Sequence, residues 1–299
     1  MKFKMTMVAT VVALAATNLH AQETYNVEVV GTNGSKNTDD QTKQTINMFS
    51  GTYYFKSIKI DSNQPYAELD FLQKASSISL TYANQSVETA NVVNTTITPI
   101  ELKGTVYIDN LILGLSSNNW SGDLKLKANT ARYYGIKANT TGVNIGYFVT
   151  PETALTFTTS KDTASYTPSA GLAAQGDLNI TTNSITSRTV TSLGGTQSMR
   201  VDLKYNSIAY EAATAASLKN NEYGFSLRYY PESKYYVEGG YLINTGDRDY
   251  AKGKTLSAGA GIAFTPRFGV LLSTAKFTGD VSTELSSSTL TTLTAGYRF

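Results

Sequence analysis

Few residues in this chain could serve as a nucleophile, a general base or a metal ligand. Its 299 residues include one histidine, His20, and no cysteine. His20 lies within residues 1–21, which run Lys2, Lys4, an apolar stretch from Met5 to Ala16, then Asn18-Leu19-His20-Ala21. That charged, apolar, small-residue order is the order of a secretory signal peptide, with cleavage expected between Ala21 and Gln22. The expected organisation is a leader over 1–21 and one unit over 22–299. Without His or Cys, that unit can assemble no Ser-His nucleophile, no Asp-His protease and no zinc site. The expectation is a protein that is not an enzyme and uses no metal or cofactor. No disulfide framework or lipid-modified cysteine is available either.

The chemistry that remains is electrostatic. Lys2 and Lys4 are the only charges in 1–21, so the rest of the chain carries Lys+Arg and Asp+Glu in equal number. A formally neutral unit offers nucleic acid no basic face. Several charges alternate with apolar residues along extended stretches, and with the apolar set on one face these fall on the other. They are Glu28, Glu101, Lys103, Arg200, Asp202, Lys204, Arg228, Glu238 and Arg298. Arg200-x-Asp202-x-Lys204 shares one face of one strand, with Arg228 and Glu238 within reach on its neighbours. Two readings stay open for the set. It sets ion preference, weakly because both signs are mixed, or it pairs internally to stabilise a hydrated interior. Asp39-Asp40 and Asp247-x-Asp249 are clustered carboxylates in expected loops, where a divalent cation is one reading and solvated carboxylates the blander one.

The elements that must position these charges are strands. Beyond the leader no apolar run approaches the ~20 residues of a spanning helix, yet 20 Tyr and 11 Phe are distributed along the chain. Alternation marks fourteen candidate strands: 23–32, 43–56, 77–85, 96–108, 111–117, 140–149, 153–160, 198–205, 208–217, 222–230, 234–243, 254–264, 267–277 and 289–299. Tight connections at Thr150-Pro151-Glu152, Pro231-Glu232-Ser233 and Thr265-Pro266 use a residue that cannot join a ladder. Aromatics flank each of them: Tyr147 and Phe148, Tyr229 and Tyr230 with Tyr235 and Tyr236, Phe264 with Phe268. A ring of aromatics at one end of all strands reads as an interfacial girdle. The other end holds the expected longer loops 33–42, 86–95, 118–139, 161–195, 244–253 and 278–288, with Trp120 as an interfacial anchor. The connection 57–74 is the exception, long where a tight turn is expected. In the last strand Leu293, Ala295, Tyr297 and the terminal Phe299 share the apolar face, a pattern similar to the signal read by the barrel-assembly machinery. The fold class that follows is all-β, a transmembrane antiparallel barrel of about fourteen strands with both termini periplasmic.

Gly51-Thr52-Tyr53-Tyr54-Phe55-Lys56, Pro65-Tyr66-Ala67-Glu68, Phe71-Leu72 and Ala75-Ser76 resemble the N-terminal signature of the small porin family of gammaproteobacterial outer-membrane proteins. Gly146-Tyr147-Phe148-Val149-Thr150-Pro151 and the Phe-terminated last strand are similar to it as well. The resemblance covers about a quarter of the chain. It implies a single outer-membrane barrel and a passive channel partly occluded by its own loops. Tyr66 and Asp70 depart from the pattern, which has apolar or small residues there.

Size points the same way. Eight strands leave a filled interior and ~16–18 an aqueous channel, so fourteen admits water and small solutes unless something folds inward. The best candidate to fold inward is 161–195, with Leu178, Ile180 and Ile185 available to pack on the wall, and a mobile external loop is the equal alternative for it. The function expected is a diffusion channel for water, ions and small hydrophilic solutes, the alternative being a plugged barrel acting as an adhesin through its outer loops. The partners expected are outer-membrane lipid and lipopolysaccharide, the assembly machinery and the permeant solutes, with a monomer favoured over an oligomer.

Overall fold

The structure, a computed structural model, describes residues 24–38, 43–88, 92–126, 129–168, 177–212, 215–246, 252–279 and 287–299. The expected leader with its cleavage point at Ala21 and Gln22, and the acidic pairs Asp39-Asp40 and Asp247-x-Asp249, lie outside them.

Alternation does build strands. In order they are β1 (Thr24–Thr38), β2 (Lys43–Lys59), β3 (Ser77–Glu88), β4 (Val92–Ile97), β5 (Ile100–Ile108), β6 (Leu111–Leu126), β7 (Asn129–Thr150) and β8 (Thr153–Pro168). The second half is β9 (Leu178–Gly194), β10 (Gln197–Ala212), β11 (Ala215–Glu232), β12 (Tyr235–Gly246), β13 (Gly253–Ala263), β14 (Phe268–Gly279) and β15 (Ser288–Arg298). Each strand pairs antiparallel with its chain neighbour, and β1 pairs with β15 to close the ring. β4 and β5 both lie between β3 and β6, so they are two halves of one stave. The break falls at Pro99, which lacks the N–H a ladder needs. Thr98 N to Ser121 O at 3.1 Å and Ala83 N to Pro99 O at 2.9 Å carry the ladder across it. Fifteen segments therefore make a closed barrel of fourteen staves.

The expected count of fourteen agrees with the barrel, but one expected member is not a strand of its own and one strand, β9, falls in an expected loop. The stretch 208–217 is the end of β10 and the start of β11, not a strand of its own. Of the expected loop 161–195, residues 161–168 are the upper half of β8 and 178–194 are β9, so these lie in the wall and not in the lumen, while 169–176 lie outside the described residues. Leu178, Ile180 and Ile185, expected to pack on the lumen wall, are part of the wall, and Ile185 is exposed on its outer face. The loop expected over 118–139 is likewise two long strands, β6 and β7, paired from Leu126 to Asn129 downward, and Trp120 stands within β6.

Tight turns gather at one end: Asp109-Asn110, Pro151-Glu152, Gly195-Thr196, Ser233-Lys234 and 264–267. Asp109 (φ 52°), Gly194 (φ 106°) and Gly195 (φ 60°) supply the left-handed backbone that two of these turns require. Outward positions near this end expose Tyr53, Phe55, Tyr147, Tyr235 and Phe264, above which Leu80, Leu102, Leu115, Ile145, Phe157, Leu203, Leu256, Leu272 and Leu293 continue an exposed apolar belt. Water would penalise such a surface at about 25 cal/mol per Å² of apolar area, whereas hydrocarbon does not. The belt is a lipid-facing wall.

Part of the expected girdle, Phe148 and Tyr230, faces the other way. Tyr54, Phe148 and Tyr230 are buried inside the barrel, next in sequence to exposed or half-buried outward neighbours. They are inside because something there needs covering. The long connection between β2 and β3 turns into the lumen, as a 3-10 turn over Tyr66–Glu68 and a single helical turn, α1 (Leu69–Leu72). The buried apolar clusters of the protein surround it. Tyr25, Tyr54, Ile58, Tyr66, Leu69 and Ala75 form one, and Phe71, Ile112, Phe148, Ala154 and Val190 the other.

Candidate functional site: a stoppered lumen

The segment from 60 to 76 is tied to the wall at both of its ends. Gln73 pairs with the backbone of Lys59, accepting from N at 2.9 Å and donating to O at 2.7 Å. Ser76 O accepts from Phe55 N at 3.0 Å, and Ser76 Oγ from Tyr107 N at 2.9 Å. Lys74, at φ 51°, turns the chain back toward β3 and donates to Asn110 Oδ1 at 2.6 Å while lying 4.7 Å from the Phe148 ring. On the far side of the lumen Tyr66 N donates to Ser233 O at 3.1 Å. Phe71 sits 5.1 Å from Phe148, ring centre to ring centre. A short helix of this length has no stability of its own, so these contacts hold it.

Its charged anchor is Glu68, 1 % exposed. One oxygen, Oε1, accepts from Arg200 Nη1 at 3.0 Å, from Arg228 Nη1 at 3.0 Å and from the Tyr230 hydroxyl at 2.5 Å. Both arginines are held in turn. Arg200 Nε donates to Asp202 Oδ2 at 2.7 Å, and Arg188 Nε to Asp202 Oδ1 at 2.8 Å. Arg228 grips Glu238 Oε2 with Nε at 2.9 Å and Nη2 at 2.6 Å, and its guanidinium lies 4.4 Å from the Tyr236 ring. Tyr236 can lie flat because Gly261 is beneath it, where a Cβ would meet the ring at 2.2 Å. Across the lumen Arg298 donates to Glu28 Oε1 at 2.8 Å and to Tyr66 O at 2.7 Å, and the Tyr54 hydroxyl donates to Glu28 Oε2 at 3.1 Å.

Four guanidiniums, Arg188, Arg200, Arg228 and Arg298, thus meet four carboxylates, Glu28, Glu68, Asp202 and Glu238. Asp70 is the fifth acid, and burial, then Glu28 and Glu68, push its carboxyl up to about 6. The belt is neutral when Asp70 holds its proton. Isolated charges at this depth would be costly, and reciprocal pairing offsets that cost.

Of the charges expected on the inward face, Glu28, Arg200, Asp202, Arg228, Glu238 and Arg298 are brought together in this belt. Glu101, Lys103 and Lys204 are not. They stand beside exposed Leu102 and Leu203 on β5 and β10, toward the far end, and form no ion pair among the described residues. Three members escaped the sequence reading: Arg188, assigned to a loop, and Glu68 and Asp70 in the long connection. The signal for the last two was the length of that connection together with Tyr66 and Asp70, polar where the resembling family is apolar or small.

At the seam, Phe299 N donates to Val27 O at 2.8 Å and Phe299 O accepts from Asn26 N at 2.9 Å. Leu293 is exposed on the outer wall, Ala295 half-buried, and Tyr297 is covered by the Phe299 ring at 4.7 Å.

At and above the belt most inward positions are small and neutral: Ser50, Thr52, Ser79 and Thr81 on one side, Thr156, Thr158, Thr186 and Ser226 on another, Ser257, Gly259 and Ser273 on a third, with Glu101, Lys103 and Lys204 standing among them. Between the inward segment and β13–β15 a gap of about 170 Å³ opens, lined by Glu28, Tyr66, Lys234, Arg267, Thr294 and Arg298.

No family model matches the chain, and no curated protein matches it in sequence. Solved structures do share its fold. The Acinetobacter baumannii outer membrane protein Omp33 is similar at a TM-score of 0.57 and 15 % identity, covering 93 % of this chain and 100 % of its own. The CymD monoaromatic hydrocarbon channel gives 0.57 at 11 % identity, over 92 % and 89 % of the two chains. The Ralstonia pickettii toluene transporter TbuX gives 0.56 at 10 %, over 93 % and 90 %. The chain has the fold of an outer-membrane β-barrel.

Proposed function

We propose that this protein is an outer-membrane diffusion channel for water, ions and small hydrophilic solutes, stoppered at its periplasmic end by residues 60–76. The observation that carries the reading is the pairing of a lipid-facing outer wall with a hydrophilic inner wall, mostly Ser, Thr, Gly and Asn with Glu101, Lys103 and Lys204 among them, closed by a segment held through non-covalent polar and apolar contacts. A permanent plug would be expected to seal against the wall all round; here a gap of about 170 Å³ remains along β13–β15. The similarity of the long connection to the small porins, whose channels are occluded by their own chain, supports the same reading. Both termini and the tight turns then face the periplasm, and export depends on the leader over 1–21.

Two of the similar structures are described as carrying monoaromatic hydrocarbon or toluene. The hydroxyl-rich inner wall of this chain favours hydrated solutes instead. A second reading is a closed barrel that works through its far-end loops, favoured by the complete pairing of Glu68. Planar-bilayer recording of the refolded chain separates them. Steady ion conductance with flux of small sugars into proteoliposomes supports the channel, and silence in both assays overturns it in favour of the closed barrel.

A further inference from the structure

On β6, β7 and β8 the outward face changes character above Leu115, Val143, Ile145 and Phe157, all exposed. It continues through Asn119 and Ser121, Asn139 and Lys137, and Lys161 and Thr163, adjacent in register: Asn119 opposite Asn139, Asn139 opposite Thr163, Thr141 opposite Lys161. A barrel strand crosses the hydrocarbon in about 9–11 residues, so counting along β7 from Val149 places Asn139 at the upper edge of the lipid and Lys137 just beyond. At this height the wall is indented beside Thr98, where the Pro99 break interrupts the stave, leaving a groove of about 700 Å³. Lys137 and Lys161 are exposed there and form no ion pair among the described residues. Asp123, the acid on the same face of β6, is exposed and also forms none.

We propose that this groove seats the phosphorylated sugar headgroup of one outer-leaflet glycolipid of the lipopolysaccharide type. This rests on the outer-membrane reading above but not on conductance. Lys137 and Lys161 each face a phosphate, because ammonium groups at the membrane surface attract anionic headgroups. Asn119, Asn139 and Thr163 offer hydrogen bonds to sugar hydroxyls, and the acyl chains run down over Leu115, Val143 and Ile145. A phosphatidyl lipid has one phosphate and no sugar pair to span two lysines set on adjacent strands four residues apart along the wall.

The test uses the full mature chain, refolded free of lipopolysaccharide, with purified lipid A as the probe in native mass spectrometry and titration. One lipid A per barrel is expected, bound tighter than phosphatidylglycerol, weakened when its phosphates are removed and not displaced by millimolar inorganic phosphate. Lys137→Gln with Lys161→Gln should weaken it about 30-fold, from the contribution of two surface lysines. Lys254→Gln with Lys276→Gln removes the same charge from exposed outward positions on β13 and β14 and should change it less than threefold. Heat-modified gel mobility confirms that each variant is folded. Equal weakening by the two pairs, displacement by inorganic phosphate, or binding no tighter than phosphatidylglycerol would overturn the proposal. Conductance in bilayers without lipopolysaccharide is measured separately and decides only the channel reading.

Discussion

Replacing Glu68 by alanine removes the carboxylate on which the inward segment turns. Its Oε1 takes hydrogen bonds from Arg200, Arg228 and Tyr230 in a site only 1 % exposed. Deleting one partner of a buried ion pair typically costs about 3–5 kcal/mol. The low end applies here, because Arg200 keeps Asp202 and Arg228 keeps Glu238, so neither guanidinium is stranded. A loss of about 3 kcal/mol from docking raises the undocked-to-docked ratio about 100-fold. Glu68→Gln keeps the shape and one acceptor oxygen but no charge, so it should fall between the two. Two assays read the change. In planar bilayers the larger openings become more frequent by that order. In limited proteolysis, trypsin should cut after Lys59 or Lys74 faster in Glu68→Ala than in the parent barrel. The second assay does not depend on what the barrel conducts. If cleavage and opening frequency both stay within threefold of the parent, the anchor assigned to Glu68 is wrong.

Asp70 gives a pH dependence with a definite sign. Its carboxyl is raised to about 6 in the docked segment against an ordinary carboxylate near 4, so docking favours the protonated form. Lowering pH from 7.5 to 4 should therefore tighten the segment and reduce opening, the change setting in near pH 6, running on to about pH 4 and absent in Asp70→Asn; greater opening over that interval would contradict it. In the wall, Gly261→Ala places a Cβ 2.2 Å from Tyr236 and should cost about 1–3 kcal/mol through the displaced ring, read as a lower urea midpoint. Gly239→Ala is the comparison, since the nearest atom to its Cβ is Ser257 O at 3.8 Å, and an equal drop in both would refute the steric account.

The barrel was legible in the sequence where outward positions are apolar. Strands such as β11, β12 and β13 show Tyr223, Phe225 and Leu227, then Tyr235, Val237 and Tyr241, then Leu256, at every second residue, and the alternation assigns their faces. β9 was not legible. Its outward row contains Ile185 and Leu193 but also Ser187, Thr189 and Thr191, so hydropathy has no period of two although Thr favours the strand. The small-residue stretch at 208–217 carries no turn signal, which is why two strand ends read as one strand. The charges Glu28, Arg200, Asp202, Arg228, Glu238 and Arg298 followed from parity alone. Glu68 could not, because parity says nothing of a side chain presented by a helical turn. Its partner lies 132 residues away in Arg200, beyond any local pattern.

Arg298 joins three parts of the chain at once: its own last strand, Glu28 on the first, and Tyr66 of the inward segment. Its ion pair bridges residues 270 positions apart, so that contact can form only after the final strand has been delivered to the seam. The hydrogen bond to Tyr66 O waits on the same event. Closure of the cylinder and seating of the stopper are therefore ordered in time. An unfinished barrel lacks one of the fixed points that seat the segment. A correctly docked stopper thereby serves as a mark that assembly has run to its last residue.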